Sequence, residues 1–276
     1  MLETCAACGS PKIHALGWIL DAEWVRCREC GSLSKGETDD AVTVARALPC
    51  GRREDAQEFL DVRTETYRFV AGRLANELSP GSRVLDFGCS FGGLLGELEA
   101  RGLAGLGVDV NPECVSFVAD NGLSVVESGS LQEIAGVGEF DAVCLLDIVM
   151  YLPSEITELK EVRRLLRPDG ILIIRTTNKR WLATAAHVLR RFHGPTSDDL
   201  FRRAVRSHSI SQSPRSLCRL LRLLGFGDIQ VETDVHLMDE VDSAARVAYR
   251  AGRVTSSIMG HPTVSPGVLI HARSPV

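Results

Sequence analysis

Arg83-Val-Leu-Asp-Phe-Gly-Cys-Ser-Phe-Gly92 decides the fold of this 276-residue chain. An apolar run of strand length enters a turn of small residues, and Leu94–Arg101 continues as a helix. Leu106–Asp109 then forms a second strand that ends in an acid, 23 positions after Asp86. Strand, tight turn, helix and acid-ended strand make the layout in which a nucleoside-containing cofactor sits at the carboxyl ends of parallel strands.

Two cofactor classes compete for such a layout. A pyrophosphate-binding turn reads G-x-G-x-x-G and places the anion on a helix N-terminus. Here the turn reads Asp86-x-Gly88-x-Ser90-x-Gly92. An acid in that position repels a pyrophosphate but accepts a hydrogen bond from an ammonium group, such as that of S-adenosylmethionine. At these residues the chain resembles the class I S-adenosylmethionine-dependent methyltransferases, whose first motif is D/E-x-G-x-G-x-G, with Ser90 replacing the middle glycine. The resemblance continues through Phe140-Asp…Asp147-Ile-Val-Met-Tyr-Leu-Pro153, Leu159-x-x-Val-Arg-Arg-Leu-Leu-Arg-Pro-Asp-Gly170, Ile171-Leu-Ile-Ile-Arg-Thr-Thr-Asn178 and His208…Phe226. It covers roughly residues 80–272.

The resemblance implies a Rossmann-like α/β fold with a mostly parallel seven-stranded sheet whose last strand is antiparallel. Alternation of strand and helix patterns agrees with it. Strands are expected at Arg83–Phe87, Leu106–Asp109, Val125–Glu127, Phe140–Asp147, Ile171–Thr176, Ile229–Thr233 and Val268–Ala272. Helices are expected over 54–78, from Pro112 to about Asn121 with Asn111 as cap, and from Ser154 to Leu166, where Arg167-Pro-Asp-Gly170 makes a turn.

Implied site residues follow. The backbone around Asp86, Gly88, Ser90 and Gly92 would cradle the methionine part of the cofactor. Asp109 would accept both ribose hydroxyls or, alternatively, cap a helix. Val110 would pack on the adenine, and Ser130-Leu131 would stand where many relatives carry an acid for the adenine amino group. Asp147, at the end of the fourth strand, would face the methyl group and hold the substrate, or cap the next segment. Ubiquinone-pathway O-methyltransferases often show Glu-His where this chain has Met150-Tyr151, so a carboxylate and an imidazole are missing. Transfer from a sulfonium tolerates their loss, because alignment of the two reactants supplies much of the rate. Tyr151 and His208 are the substitute catalytic candidates beside Asp147; His187 and His193 carry the same titratable ring.

At the N-terminus, Cys5-x-x-Cys8 and Cys27-x-x-Cys30 stand 18 residues apart, each followed by glycine. Two such pairs close a tetrahedral thiolate site for structural Zn²⁺, and four thiolates leave His14 nothing to ligate. Residues 1–35 therefore read as a zinc ribbon, 36–53 as a linker and 54–276 as the catalytic domain. A unit of that size draws its stability from the metal.

Composition is that of a soluble globular protein, with 45% hydrophobic and 24% charged residues. No apolar run is long enough to span a bilayer and no secretory signal is visible, so a cytoplasmic location is expected. Net charge is −5, yet residues 179–222 carry +8, leaving −13 for the remainder. That basic segment reads as a lid or substrate region, a membrane-surface helix, or an ordinary packed helix around Trp181–Phe192. It points to a small anionic or hydroxylated methyl acceptor, with a nucleotide-linked sugar or specialised metabolite as one form and O-methylation as the preferred reaction. The rivals are a ribosomal RNA base methyltransferase and a non-catalytic protein that keeps the fold to bind a partner.

Overall fold

A computed structural model describes residues 3–5, 7–19, 22–35, 52–134, 139–152, 155–177, 210–211, 214–233 and 267–276. The basic segment of 179–222 falls outside them except for residues 210–211 and 214–222, as do His187, His193 and His208.

The N-terminal unit contains β1 (Ile13–Ile19), β2 (Ala22–Cys27) and β3 (Leu33–Lys35). The helix α1 (Ala56–Glu77) leads to β4 (Arg83–Phe87), followed by α2 (Gly93–Glu99), β5 (Ala104–Asp109), α3 (Pro112–Asp120) and β6 (Val125–Glu127). Next come β7 (Phe140–Leu146), α4 (Glu155–Leu165), β8 (Leu166–Thr177), β9 (Ile210–Ser211), α5 (Pro214–Leu223), β10 (Gly227–Thr233) and β11 (Gly267–Arg273).

Seven strands form one sheet in the order β10-β11-β8-β7-β4-β5-β6. Pairs among β4 to β8 are parallel, whereas β11 runs antiparallel to both β8 and β10. This is the expected Rossmann-like sheet. Its central strands β4, β7, β8 and β11 are largely buried on both faces because helices cover both, whereas the edge strands β6 and β10 are partly exposed. Side chains alternate across the pleat, so Val84, Ala142, Ile171 and Ile173 pack with Leu74 of α1 and Leu94 of α2 on one face. Leu85, Val143, Leu172 and Ile174 pack with Leu159 of α4 and Leu217 of α5 on the other.

Two local differences from the sequence expectation have physical causes. Arg167-Pro-Asp-Gly170 lies within the span of β8, where pairing with β7 jumps from Phe140↔Leu166 to Ala142↔Ile171. The turn residues are extruded as an exposed bulge, with Asp169 at φ 60°. The N-terminal sheet has four strands in the order β1-β2-β3-β9, because Leu33 and Ser34 pair with Ser211 and Ile210. Segments from both sides of the expected 35/54 boundary therefore share one sheet.

Candidate active site

The carboxyl ends of β4, β5, β7 and β8 surround a cavity of about 220 Å³. Parallel strands put their terminal side chains on one edge, and this edge brings Asp86, Asp109, Asp147 and Arg175 to the cavity wall. One side of α1 closes it with Phe59, Arg63, Thr66 and Tyr67.

The loop after β4 is held by backbone groups. Gly88 N and Cys89 N both donate to Val108 O, at 2.8 and 3.0 Å, and Ser90 N donates to Asp109 Oδ2 at 2.8 Å. Gly88 and Ser90 have φ of 80° and 47°, so the turn is left-handed at both. Phe91 anchors it, buried between Phe59 at 5.6 Å and Phe117 at 5.2 Å in edge-to-face contacts. Gly93 admits α1 closely, since a Cβ there would lie 2.3 Å from the Tyr67 ring.

Asp109 Oδ1 accepts from Asn111 N at 2.9 Å. Asn111, whose side chain accepts from Glu113 N at 2.9 Å, is the cap of α3, so the capping alternative for Asp109 falls to its neighbour. Burial raises the Asp109 carboxyl above the usual range, opposed by the hydrogen bonds from the Asn111 and Ser90 amides. Asp86 is 2% exposed, and burial, with the charge of Asp109 added, pushes it up to about 7.

Asp147 follows β7 with φ 58°. Its amide donates to Arg175 O at 2.9 Å, and Arg175 Nη1 donates back to Asp147 Oδ2. Three buried oxygens of residues on the cavity wall find no partner among the described residues: Thr66 Oγ1, Asp86 Oδ1 and Asp147 Oδ1. Buried polar atoms are rarely left so, and three in one cavity mark a place for a polar ligand.

The remaining expected residues divide. Val110 and Tyr151 line the cavity, the latter from a short 3₁₀ turn, Val149–Tyr151, in which Met150 is buried. Gly92 does not line it; it caps α2, and a Cβ there would lie 2.9 Å from Val118. Ser128 and Gly129 reach the wall where Ser130 and Leu131 were expected. The Ser130 hydroxyl instead accepts from Gln132 N at 3.1 Å, and Leu131 is fully buried in the core. Sequence reasoning missed Arg175, although a charge inside Ile171-Leu-Ile-Ile-Arg-Thr-Thr177 is a visible signal. It also missed the α1 contribution, whose Phe59, Arg63, Thr66 and Tyr67 recur at helical spacing.

The four N-terminal cysteines converge, their Sγ atoms all within 4.8 Å of one another. Cys5 and Cys30 are 3.6 Å apart, Cys8 and Cys27 3.7 Å. A tetrahedral site with Zn–S of about 2.3 Å has edges of about 3.8 Å, which these separations match. Cys30 N points to Cys27 Sγ at 3.4 Å, and Gly9 and Gly31 turn the two knuckles at positive φ. The Ser32 hydroxyl, fully buried, lies 3.1 Å from both Cys5 and Cys30 Sγ.

Residues 56–231 match a family model described as a methyltransferase domain. A ubiquinone biosynthesis O-methyltransferase of Xanthomonas campestris pv. campestris is 34% identical over 129 residues, 44% of this chain and 52% of that protein. The corresponding protein of Cereibacter sphaeroides is 31% identical over 148 residues, 45% and 60%. The chain thus spans about half the length of the curated relatives it matches. Among solved structures, the plantazolicin methyltransferase BamL, bound to a triazolic desmethylPZN analog and SAH, superposes with TM-score 0.54 at 15% identity, over 84% of this chain and 93% of that one. Magnesium protoporphyrin IX methyltransferase of Synechocystis PCC 6803, with bound SAH, gives TM-score 0.54 at 14% identity, over 85% and 99%. The fold is shared with both.

Proposed function

This chain belongs to the methyltransferase-domain family, and from that premise we propose that it transfers a methyl group from S-adenosylmethionine to a small molecule, with oxygen the preferred acceptor atom. The observation that carries the reading is the convergence of the buried, unpartnered Asp86 Oδ1 with Asp109 and the left-handed Gly88–Ser90 turn on one cavity. Asp86 and Asp109 on the wall suit a ligand bearing an ammonium and a sulfonium better than a pyrophosphate. Of the two cations among the described lining residues, Arg175 is paired with Asp147 and Arg63 stacks on Phe59.

The residues fit that cofactor as follows. Asp86 accepts from the ammonium, whose charge relieves the cost of burying the carboxylate. Asp109 has lone pairs beyond those used by the Ser90 and Asn111 amides and takes the ribose hydroxyls. Val110 and Ser128–Gly129 frame the base. The cofactor supplies an electrophilic methyl group on sulfur, so the protein needs to align an acceptor more than to activate it.

Asp147 and Tyr151 hold the acceptor. Arg175 holds Asp147 Oδ2, and Oδ1, which has no partner among the described residues, is the oxygen proposed to accept from an acceptor hydroxyl. Met150 is buried, so nothing at that position replaces the missing carboxylate. The ubiquinone-pathway relatives favour a hydroxylated small molecule over an RNA base. An anionic form, such as a phosphorylated or nucleotide-linked acceptor, fits the basic segment of the sequence. Structural Zn²⁺ held by Cys5, Cys8, Cys27 and Cys30 fits the spacing of the four sulfurs.

The test is formation of S-adenosylhomocysteine by the full chain with panels of phenolic acids, nucleotide-linked sugars and ribosomal RNA. Turnover with a small hydroxylated acceptor, and retention of label on its oxygen, supports the reading. Turnover with RNA alone overturns the substrate class.

A further inference from the structure

A second cleft, of about 450 Å³, lies between the Cys27–Cys30 knuckle and α5. Its size is that of a site for a small molecule rather than a single ion. Two structural units supply its charge. His14 and Arg26 are directly opposed across the β1–β2 pair, so they share a face of the ribbon sheet. Arg215 and Arg219 stand one turn apart on α5 and present the other wall. Arg28 and Glu29 come from the knuckle itself.

The arginines are exposed, and the one acid among the described lining residues is already engaged, Glu29 pairing with Lys12 at 2.7 Å. Arg219 Nη1 donates to Glu29 O at 2.9 Å, which fixes α5 against the knuckle and sets the width of the cleft. His14 Nδ1 is shielded from solvent and has no partner among the described residues. Among the described residues four guanidinium groups line the cleft, against the two negative charges that a Zn²⁺-loaded four-thiolate site would leave.

We propose that this cleft binds the phosphoryl oxygens of a phosphorylated small molecule. Guanidinium forks converging from a sheet and a helix suit an anion that offers several oxygens in several directions, which a phosphate or pyrophosphate does and a single carboxylate does not. The site shares no lining residue with the Asp86–Asp109 cavity, so the two ligands do not compete.

The probe is inorganic pyrophosphate, titrated by calorimetry into the zinc-loaded full chain at low salt, with Arg26→Ala, Arg215→Ala and Arg219→Ala as variants. Zinc content and S-adenosylmethionine affinity are measured on each. Binding that weakens about tenfold in each variant, at unchanged zinc content, supports the site. Because Arg219 also holds α5 to the knuckle, Arg26→Ala and Arg215→Ala keep the outcome readable if Arg219→Ala misfolds. No binding by the wild type overturns the proposal. So does binding that all three variants retain, or loss of zinc from the variants without any effect on pyrophosphate, since the arginines then only balance the thiolates. Binding of RNA without binding of pyrophosphate also overturns it, in favour of a nucleic-acid surface.

Discussion

The Ser90 amide donates to the Asp109 carboxylate at 2.8 Å, tying the turn after β4 to the end of β5. Ser90 holds φ of 47°, a left-handed conformation that costs a non-glycine residue about 1 kcal/mol. The bond uses the backbone, so the side chain is not needed for it. Ser90→Gly is expected to leave the turn intact, to shift unfolding stability by less than about 1 kcal/mol, and to keep cofactor affinity within a few fold. Urea denaturation and calorimetry check this; a large loss of affinity would assign a direct role to the serine hydroxyl.

Asp86 gives the site a pH dependence. Its carboxyl is raised to about 7 by burial and by the charge of Asp109. Between the ordinary carboxylate range and pH 7 the folded protein holds a proton that the unfolded chain has lost, so this group's contribution to stability falls as pH rises through that window and is level above it. Ammonium binding needs the ionised form. Cofactor affinity should therefore rise from pH 6 to about 7.5, then decline as an α-ammonium loses its proton near pH 8. Asp86→Asn should abolish the acid limb, weaken binding by about tenfold or more, and raise apo stability at pH 8.

The Asp147–Arg175 pair invites a double-mutant cycle. Arg175 is 3% exposed at its side chain, and Asp147 sits in a strained left-handed conformation beside it. Arg175→Met leaves a carboxylate without its cation and is expected to cost about 3 kcal/mol, whereas Asp147→Asn combined with Arg175→Met should recover much of that loss. Activity should not recover in the double variant, because Oδ1 is then no longer a fixed anionic acceptor. Restoration of both would reduce the pair to a structural role.

Metal removal should act locally. The proposed zinc site would stabilise the N-terminal sheet, so on metal removal amide exchange should accelerate at Leu33, Ser34, Ile210 and Ser211, where β3 and β9 pair. Strands β4 and β7, buried in the seven-stranded sheet, should keep their protection. Hydrogen exchange with and without a chelator reads both; equal protection would argue against a metal in the cysteine cluster.

Much of this architecture is legible from residue patterns because it is built from local signals. Leu85 and Val143 announce buried parallel strands by their apolar neighbours, and Asn111-Pro112 announces a helix start through the cap and the fixed proline φ. The acid at the end of each strand, Asp86, Asp109 and Asp147, is visible for the same reason. What escaped depends on long-range contact. A two-residue strand at Ile210–Ser211 has no periodicity to read, and its partner lies more than 170 residues earlier. Tyr67 and Arg63 show an amphipathic helix but not which cavity it covers. That Ser128 and Gly129 rather than Ser130 reach the wall follows from a local network with no periodic signal: the Ser128 hydroxyl bonds Glu133 Oε2 and accepts from the Ser130 amide, while the Ser130 hydroxyl accepts from the Gln132 amide.

The most direct test is calorimetry of S-adenosylmethionine binding to the zinc-loaded full chain, with Asp109→Ala measured beside it. The account predicts one site per chain in the micromolar range, weakened by at least about a hundredfold in a variant that is still folded by circular dichroism. No heat of binding with folded wild-type protein, or equal affinity in Asp109→Ala, would contradict it.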